Sequence, residues 1–107
     1  MIITIKREKI MRKLKLDEFN KTSGTSYQGS VMTSLSNLKN IFEAPSVTYA
    51  DIDSKTRNEY LIEFDDGLVA TIYDYKEYRA YDDDEILEFH IGGFNALTVS
   101  RIQNLLS

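Results

Sequence analysis

Residues 61–94 read LIEFDDGLVATIYDYKEYRAYDDDEILEFHIGGF, and the alternation inside this run decides the fold. Apolar residues recur at every second position on both sides of Asp66-Gly67, and Asp-Gly between two alternating runs is a strong hairpin signal. Another alternating run at residues 86–91 predicts a third strand. Successive side chains of a strand point to opposite faces of the sheet. Leu68, Ala70 and Ile72 therefore share one face, and Leu87, Phe89 and Ile91 form the matching apolar set of the third strand. Val69, Thr71, Tyr73 and Tyr75 share the other face, with Glu88 and His90 opposite the apolar set. The first face reads as core. The second turns Tyr73, Tyr75 and His90 out together, so a ligand, a partner subunit or a covering segment must account for those rings.

Working outward, residues 58–64 also alternate, with Tyr60, Ile62 and Phe64 on one face. Before them, residues 46–50 suggest a short strand and DIDSKTRN a polar loop. Asp51 and Asp53 lack the central glycine and closing glutamate of a calcium-binding loop, so no metal is expected there. From Val31 the pattern turns helical: Thr33 or Ser34 is the cap, and Leu35, Leu38 and Phe42 recur at helical spacing. Pro45 pushes its predecessor out of the helical region, which ends the helix near Glu43. At the far end Asn95 caps a second helix with Val99, Ile102 and Leu106 as its stripe. The sum is an α+β fold: one small domain, an antiparallel sheet of four to five strands, two helices packed on one face.

The N-terminal segment is harder to read. Leu14 and Leu16 alternate as in a strand while Ile10 and Leu14 fit a helix; extended structure is expected, with residues 1–20 as a basic arm or strand and residues 21–107 as the domain. Residues 1–21 hold seven Lys or Arg against Glu8, Asp17 and Glu18, a net +4, which leaves −8 in the rest of a chain whose total is −4. Such a stretch is either an arm for phosphates or an ordinary solvated face.

With 107 residues, 42% hydrophobic and 28% charged, the chain matches an ordinary globular domain and excludes a disordered one. No cysteine is present, which removes disulfides and thiolate metal sites. Nothing resembles a signal peptide or a spanning helix, and a cytoplasmic, membrane-free protein is expected.

Three places suit a ligand. KTSGTSYQG at residues 21–29 is rich in hydroxyls and glycine and suits an anion nest, although the P-loop order is absent. KEYRAYDDDE interleaves Lys76 and Arg79 with Tyr75, Tyr78 and Tyr81, a combination that stacks bases and holds phosphates. The acids at residues 82–85 read as a wet turn. Gly92-Gly93 before the last helix predicts a tight turn with amides near a helix N-terminus. Catalytic signatures are missing: the single histidine, His90, has only Glu88 as a same-face partner, and no GxSxG or HExxH occurs. A binding protein without cofactor or metal is expected, not an enzyme.

The succession GTSYQG, SLSNLKNIFEAP, FDDGLVATIYDYKEY and EFHIGGFNA resembles a family of small bacteriophage proteins with the recurring text GTxxxG, a helix ending FxxP, DGxxxxIYxWK and WHIGG. That family is identified with anti-CBASS sponge proteins, and the resemblance runs from residue 21 to residue 107. Tyr75 and Phe89 depart from it, standing where the family text has tryptophan. The resemblance implies a viral immune-evasion protein of the host cytoplasm, a homotetramer or dimer that sequesters cyclic dinucleotides without cleaving them. Neither polymeric nucleic acid nor membrane is then a partner. Gly24, Thr25, Gln28, Lys76, Arg79, Gly92 and Gly93 become candidates for phosphate contacts, Tyr27, Tyr73, Tyr75 and Tyr78 for base stacking, and His90 for a hydrogen-bonding place beside the ligand. Arg79 is also suited to reading a guanine edge. A two-fold symmetric ligand fits a two-fold subunit interface. The alternative is a protein-binding inhibitor of a host enzyme that uses the same aromatic surface.

Overall fold

The computed structural model describes residues 11–48, 58–75 and 81–106, and of Leu16 the backbone alone. The expectations for residues 1–10, for all but the last residue of DIDSKTRN, and for Lys76, Tyr78 and Arg79 lie outside the described residues. The chain runs β1 (Met11–Lys13), a 3-10 helix (Leu16–Thr22), β2 (Ser26–Ser34), α1 (Leu35–Phe42), β3 (Val47–Thr48), β4 (Asn58–Phe64), β5 (Val69–Asp74), β6 (Ile86–Gly93) and α2 (Leu97–Leu106). The sheet has the order β1-β4-β5-β6-β2, every pair antiparallel, and β3 also pairs with β4. β1 lies against residues 62–64 and β3 against residues 58–59, so these two short strands follow each other along one edge of β4.

The expected hairpin forms between β4 and β5 through a three-residue loop. The Gly67 N–H donates to the Phe64 carbonyl at 2.9 Å and the Phe64 N–H to the Leu68 carbonyl at 2.8 Å. Gly67 sits at φ +88, which the left-handed step of this loop requires and glycine adopts without steric cost. From there Leu61 stands opposite Thr71 and Thr71 opposite Gly92, which locks the faces of β4, β5 and β6 together.

One face is closed by both helices. Leu35, Leu38 and Phe42 of α1 and Ile102 of α2 join Tyr60, Ile62, Phe64, Ala70, Ile72, Phe89 and Ile91 in one buried cluster, with Leu68 and Val99 packed against it. Each side chain of this size contributes roughly 1.5–3 kcal/mol on burial. Helix ends follow the sequence signals. The Ser34 hydroxyl accepts from the Asn37 N–H at 3.1 Å, and α1 stops at Glu43, whose φ of 66 breaks the helix two residues before Pro45. Asn95 Oδ1 accepts from the Leu97 N–H at 2.9 Å. A fork from Arg101 to Asp66 ties α2 to the hairpin loop. Among the described residues no helix is long and apolar enough to cross a membrane.

Four expectations change. Helical structure begins at Leu35 and not at Val31, because Val31 and Thr33 continue β2 against Phe89 and Leu87 of β6 and alternate as β-branched strand residues do. Ser26 to Gly29, read as loop from their composition, are likewise strand, paired along residues 91–93. Gly92 and Gly93 are accordingly no strand-to-helix turn: they lie in β6 between β2 and β5. Finally, the described part of the N-terminal segment, from Met11 onward, is part extended and part 3-10 helix. It folds onto the body, with Leu14 buried and its N–H donating to the Leu61 carbonyl at 2.8 Å.

Candidate functional site

Among the described residues, the sheet face away from α1 and α2 is covered at one end only. There Leu14 and Phe19 pack on Leu61 and Val69. Arg12 seals the rim: its guanidinium forks onto Glu18 at 2.9 and 2.7 Å and reaches Glu63 at 2.8 Å, while Lys21 meets Glu63 at 3.1 Å. These contacts hold the Glu18 carboxyl down at about 2, chiefly through its hydrogen bonds from Arg12, and lower Glu63 through its hydrogen bonds from Lys21 and Arg12. Arg12 and Lys21 are thus engaged with carboxylates.

At the other end the sheet presents rings. Tyr75 stacks on His90 with centroids 4.8 Å apart and planes 26° from parallel. Tyr73 meets the same imidazole edge to face at 5.6 Å, and Tyr27 meets it tilted at 4.7 Å. Tyr73 and Tyr75 pack edge to face at 6.3 Å. His90 is the hub, and its Nε2 lies 3.3 Å from Glu88 Oε1, the same-face carboxylate that alternation picks out. Tyr27 remains 54% exposed and Tyr75 38%, so both rings keep surface at the edge of the group.

Tyr27 reaches this group through a β-bulge. Tyr27 pairs with Gly92 and Gly29 with Ile91, leaving Gln28 as the extra residue of β2. The insertion moves Tyr27 onto the ring face while Gly29 stays on the helix face, where a side chain would meet Val99 at 2.9 Å. Gln28 Nε2 donates to the Gly93 carbonyl at 3.0 Å and to Ser26 Oγ at 3.2 Å, which braces the bulge.

Between the covered end and the rings lies a cleft of about 290 Å³. Phe19, Tyr27 and Tyr73 supply rings to its lining, Thr22, Thr25, Ser26 and Thr71 supply hydroxyls, and Glu59 supplies a carboxylate. Gly92 forms part of the wall because nothing larger fits: a Cβ there would stand 2.4 Å from Thr71 Oγ1. Burial, then the nearby Glu59, pushes the Tyr73 phenol up, so it stays protonated at neutral pH. The volume is at the low end for ligand pockets and suits one ring system better than a whole dinucleotide.

Of the residues expected at a site, Thr25, Tyr27, Tyr73 and Gly92 line this cleft, and Tyr75 and His90 adjoin it through the ring group. Gly24 makes the turn into β2 at φ +86, close to Phe94. Gln28 holds the bulge instead of facing the cleft. Gly93 is on the helix face, where a Cβ would meet Thr98 at 2.4 Å, so it is a packing glycine. Phe19, Thr22, Glu59 and Thr71 were not anticipated. Thr71 had been assigned to the correct face, and Glu59 alternates with the core residues Tyr60 and Ile62, but only the register that sets Glu59 beside Tyr73 brings them together.

A buried carboxylate lies at the end of β5. Asp74 accepts hydrogen bonds from the Tyr81 hydroxyl and from the Asn58 N–H, and Asn58 Nδ2 donates to the same tyrosine oxygen at 2.9 Å. This knot joins the two ends of the segment that carries Lys76 and Arg79. Among the described residues no group of three or more His, Asp or Glu is placed to hold a metal ion. Compared with protein-family models, with curated proteins and with solved structures, the chain matches none of them.

Proposed function

We propose that the protein binds a cyclic dinucleotide on the sheet face away from α1 and α2 and sequesters it without altering a bond. The observation that carries the reading is the ring group of Tyr27, Tyr73, Tyr75 and His90, in which Tyr27 and Tyr75 keep exposed surface, beside the hydroxyl-lined cleft. Aromatic rings stack bases, and one base-sized cleft beside them receives a second base. Lys76 and Arg79, which follow Tyr75 in the sequence, are the cations assigned to the phosphates. The resemblance to anti-CBASS sponge proteins points the same way and adds a homo-oligomer, with the ligand at a subunit interface, acting in the cytoplasm of a phage-infected host.

Isothermal calorimetry against cyclic di-GMP, cyclic di-AMP and cyclic GMP–AMP, followed by recovery of the ligand, tests the proposal. The expected result is heat with at least one of them and intact ligand afterwards. No heat with any, or a cleaved product, overturns it.

A second reading has its own observation. Met32 is 63% exposed and Ile86 60% exposed; by register both lie on the face that carries His90. An apolar margin of this kind suits a protein partner, either a second copy of this chain or the host enzyme of an inhibitor. Met32→Glu with Ile86→Glu separates the two: loss of nucleotide binding together with a smaller hydrodynamic mass supports the oligomeric sponge, whereas unchanged mass and nucleotide binding with loss of a host partner supports the inhibitor.

A further inference from the structure

Leu61, Thr71 and Gly92 stand side by side across β4, β5 and β6 on the face that carries the rings. Leu61 is covered by Leu14 and Phe19, and Gly92 has no side chain to offer. Between them Thr71 is only 6% exposed, and among the described residues its hydroxyl has no hydrogen-bond partner. The oxygen lies on the Gly92 side, since a Cβ on that glycine would stand 2.4 Å from Thr71 Oγ1. Both residues line the cleft. The ladder thus places an opening beside a buried, unpaired hydroxyl.

The other aliphatic hydroxyls of the cleft have protein partners. Thr22 Oγ1 donates to the Phe19 carbonyl at 2.7 Å, Thr25 Oγ1 donates to the Thr22 carbonyl at 2.7 Å, and Ser26 Oγ accepts from Gln28 Nε2 at 3.2 Å. The phenols of the lining belong to an exposed ring, Tyr27, and a half-buried one, Tyr73. A buried hydroxyl without a partner costs stability, and such a group in a native protein calls for a role. Valine has nearly the same shape, suits a β-strand and carries no such cost. Stability alone does not account for threonine at position 71.

Among the described residues no lysine or arginine lines the cleft, so no cation there answers the charge of a phosphate. Phe19, Tyr27 and Tyr73 supply flat walls, and about 290 Å³ admits one ring system. A hydroxyl both gives and takes a hydrogen bond, which matches the polar edge of a nucleobase. Resting on the cyclic dinucleotide reading, we propose that Thr71 is a ligand-binding residue: its hydroxyl hydrogen-bonds the edge of the base that enters the cleft, and Gly92 keeps the approach to it clear.

Thr71→Val and Thr71→Ser test this beside the wild type, by thermal melting and by calorimetry with cyclic di-GMP, cyclic di-AMP and cyclic GMP–AMP. Thr71→Val is expected to melt no lower than the wild type. It is expected to bind whichever of the three the wild type binds roughly 2- to 10-fold more weakly, the share of one neutral hydrogen bond. Thr71→Ser keeps the hydroxyl and is expected to stay within about twofold of the wild-type affinity. Unchanged affinity in Thr71→Val, or a lower melting temperature, marks a structural threonine and overturns the inference while leaving sequestration standing. A Thr71→Ser protein that loses as much affinity as Thr71→Val does the same, since shape and not the hydroxyl would then decide binding. No binding of any of the three by the wild type overturns sequestration itself, and the inference with it.

Discussion

The two faces of the sheet are built from the same strands by the same alternation, yet they end differently. On one, Ile62, Ala70, Ile72, Phe89 and Ile91 are all but inaccessible beneath α1 and α2. On the other, among the described residues, Leu61 and Val69 are covered by Leu14 and by Phe19 of the 3-10 helix, and the rest of the face carries Tyr27, Tyr73, Tyr75 and His90. A helix cannot be laid over that second area without burying three phenols and an imidazole with incomplete hydrogen bonding. The contrast separates what holds the protein together from what is available to a ligand.

Truncation on each face is the strongest way to break the contrast. Phe89→Ala is expected to lower unfolding free energy by about 3–5 kcal/mol, since Phe89 is 1% exposed. Tyr27→Ala and Tyr75→Ala, at half-exposed rings, are expected to cost less than ~1 kcal/mol of stability but roughly 1–3 kcal/mol of ligand affinity each. Denaturant titration and calorimetry on the same proteins check both numbers. Equal stability losses on the two faces would erase the distinction.

The glycines of β6 give a second, smaller test. Gly92→Ala drives a methyl group into Thr71 at the cleft, and Gly93→Ala drives one into Thr98 of α2. Each is expected to cost about 1–3 kcal/mol. The remedies differ: Thr71→Ala relieves the first, Thr98→Ala eases the second in part because the Thr98 Cβ itself lies 3.0 Å away, and neither relieves the other. Melting temperatures of the four double mutants decide the matter.

Much of this contrast is legible in the sequence, and the parts that are not have physical causes. Alternation in residues 68–72 and 87–91 is regular, so it puts each side chain on its observed face, and the Ser34, Asn95 and Pro45 signals mark helix ends because their chemistry is local. GTSYQG misleads because glycine and serine are frequent in loops, whereas here Gly92 and Gly93 of the neighbouring strand accept close packing and pull residues 26–29 into the ladder. Gln28 is a one-residue insertion, invisible to a period-2 count, and it alone decides where Tyr27 points. The 3-10 helix is short and held by the Arg12, Lys21 and Glu63 pairs between segments distant in sequence, which no local pattern announces. For the same reason Phe19, Thr22 and Glu59 are not recognisable as neighbours before the register is known.

Acid gives a third difference between the faces. The Glu18 carboxyl titrates at about 2 in the folded protein against an ordinary 4.5, and Glu63 is lowered from the same value. A depressed folded value means that the stabilisation is complete above the unfolded value and is lost as pH falls through the folded one. Between about pH 4.5 and 2 the 3-10 helix is therefore expected to loosen, while the other face, held by the apolar cluster beneath α1 and α2, persists longer. Hydrogen exchange at the Leu14 amide should accelerate in that range before exchange at Ile102 does. Asp66, held at about 2 by the Arg101 fork, adds the least of these effects, since the pair is exposed: Asp66→Asn is expected to move the melting temperature only slightly.

The central claim is that the ring face, and not the helix face, receives a cyclic dinucleotide. Amide and methyl chemical-shift mapping of the labelled protein during titration with cyclic di-GMP tests it most directly. The account predicts shifts concentrated at Thr25, Tyr27, Glu59, Thr71, Tyr73, His90 and Gly92, with Leu38, Phe42 and Ile102 unmoved. Shifts centred on α1 and α2, or none at saturating ligand, would contradict it.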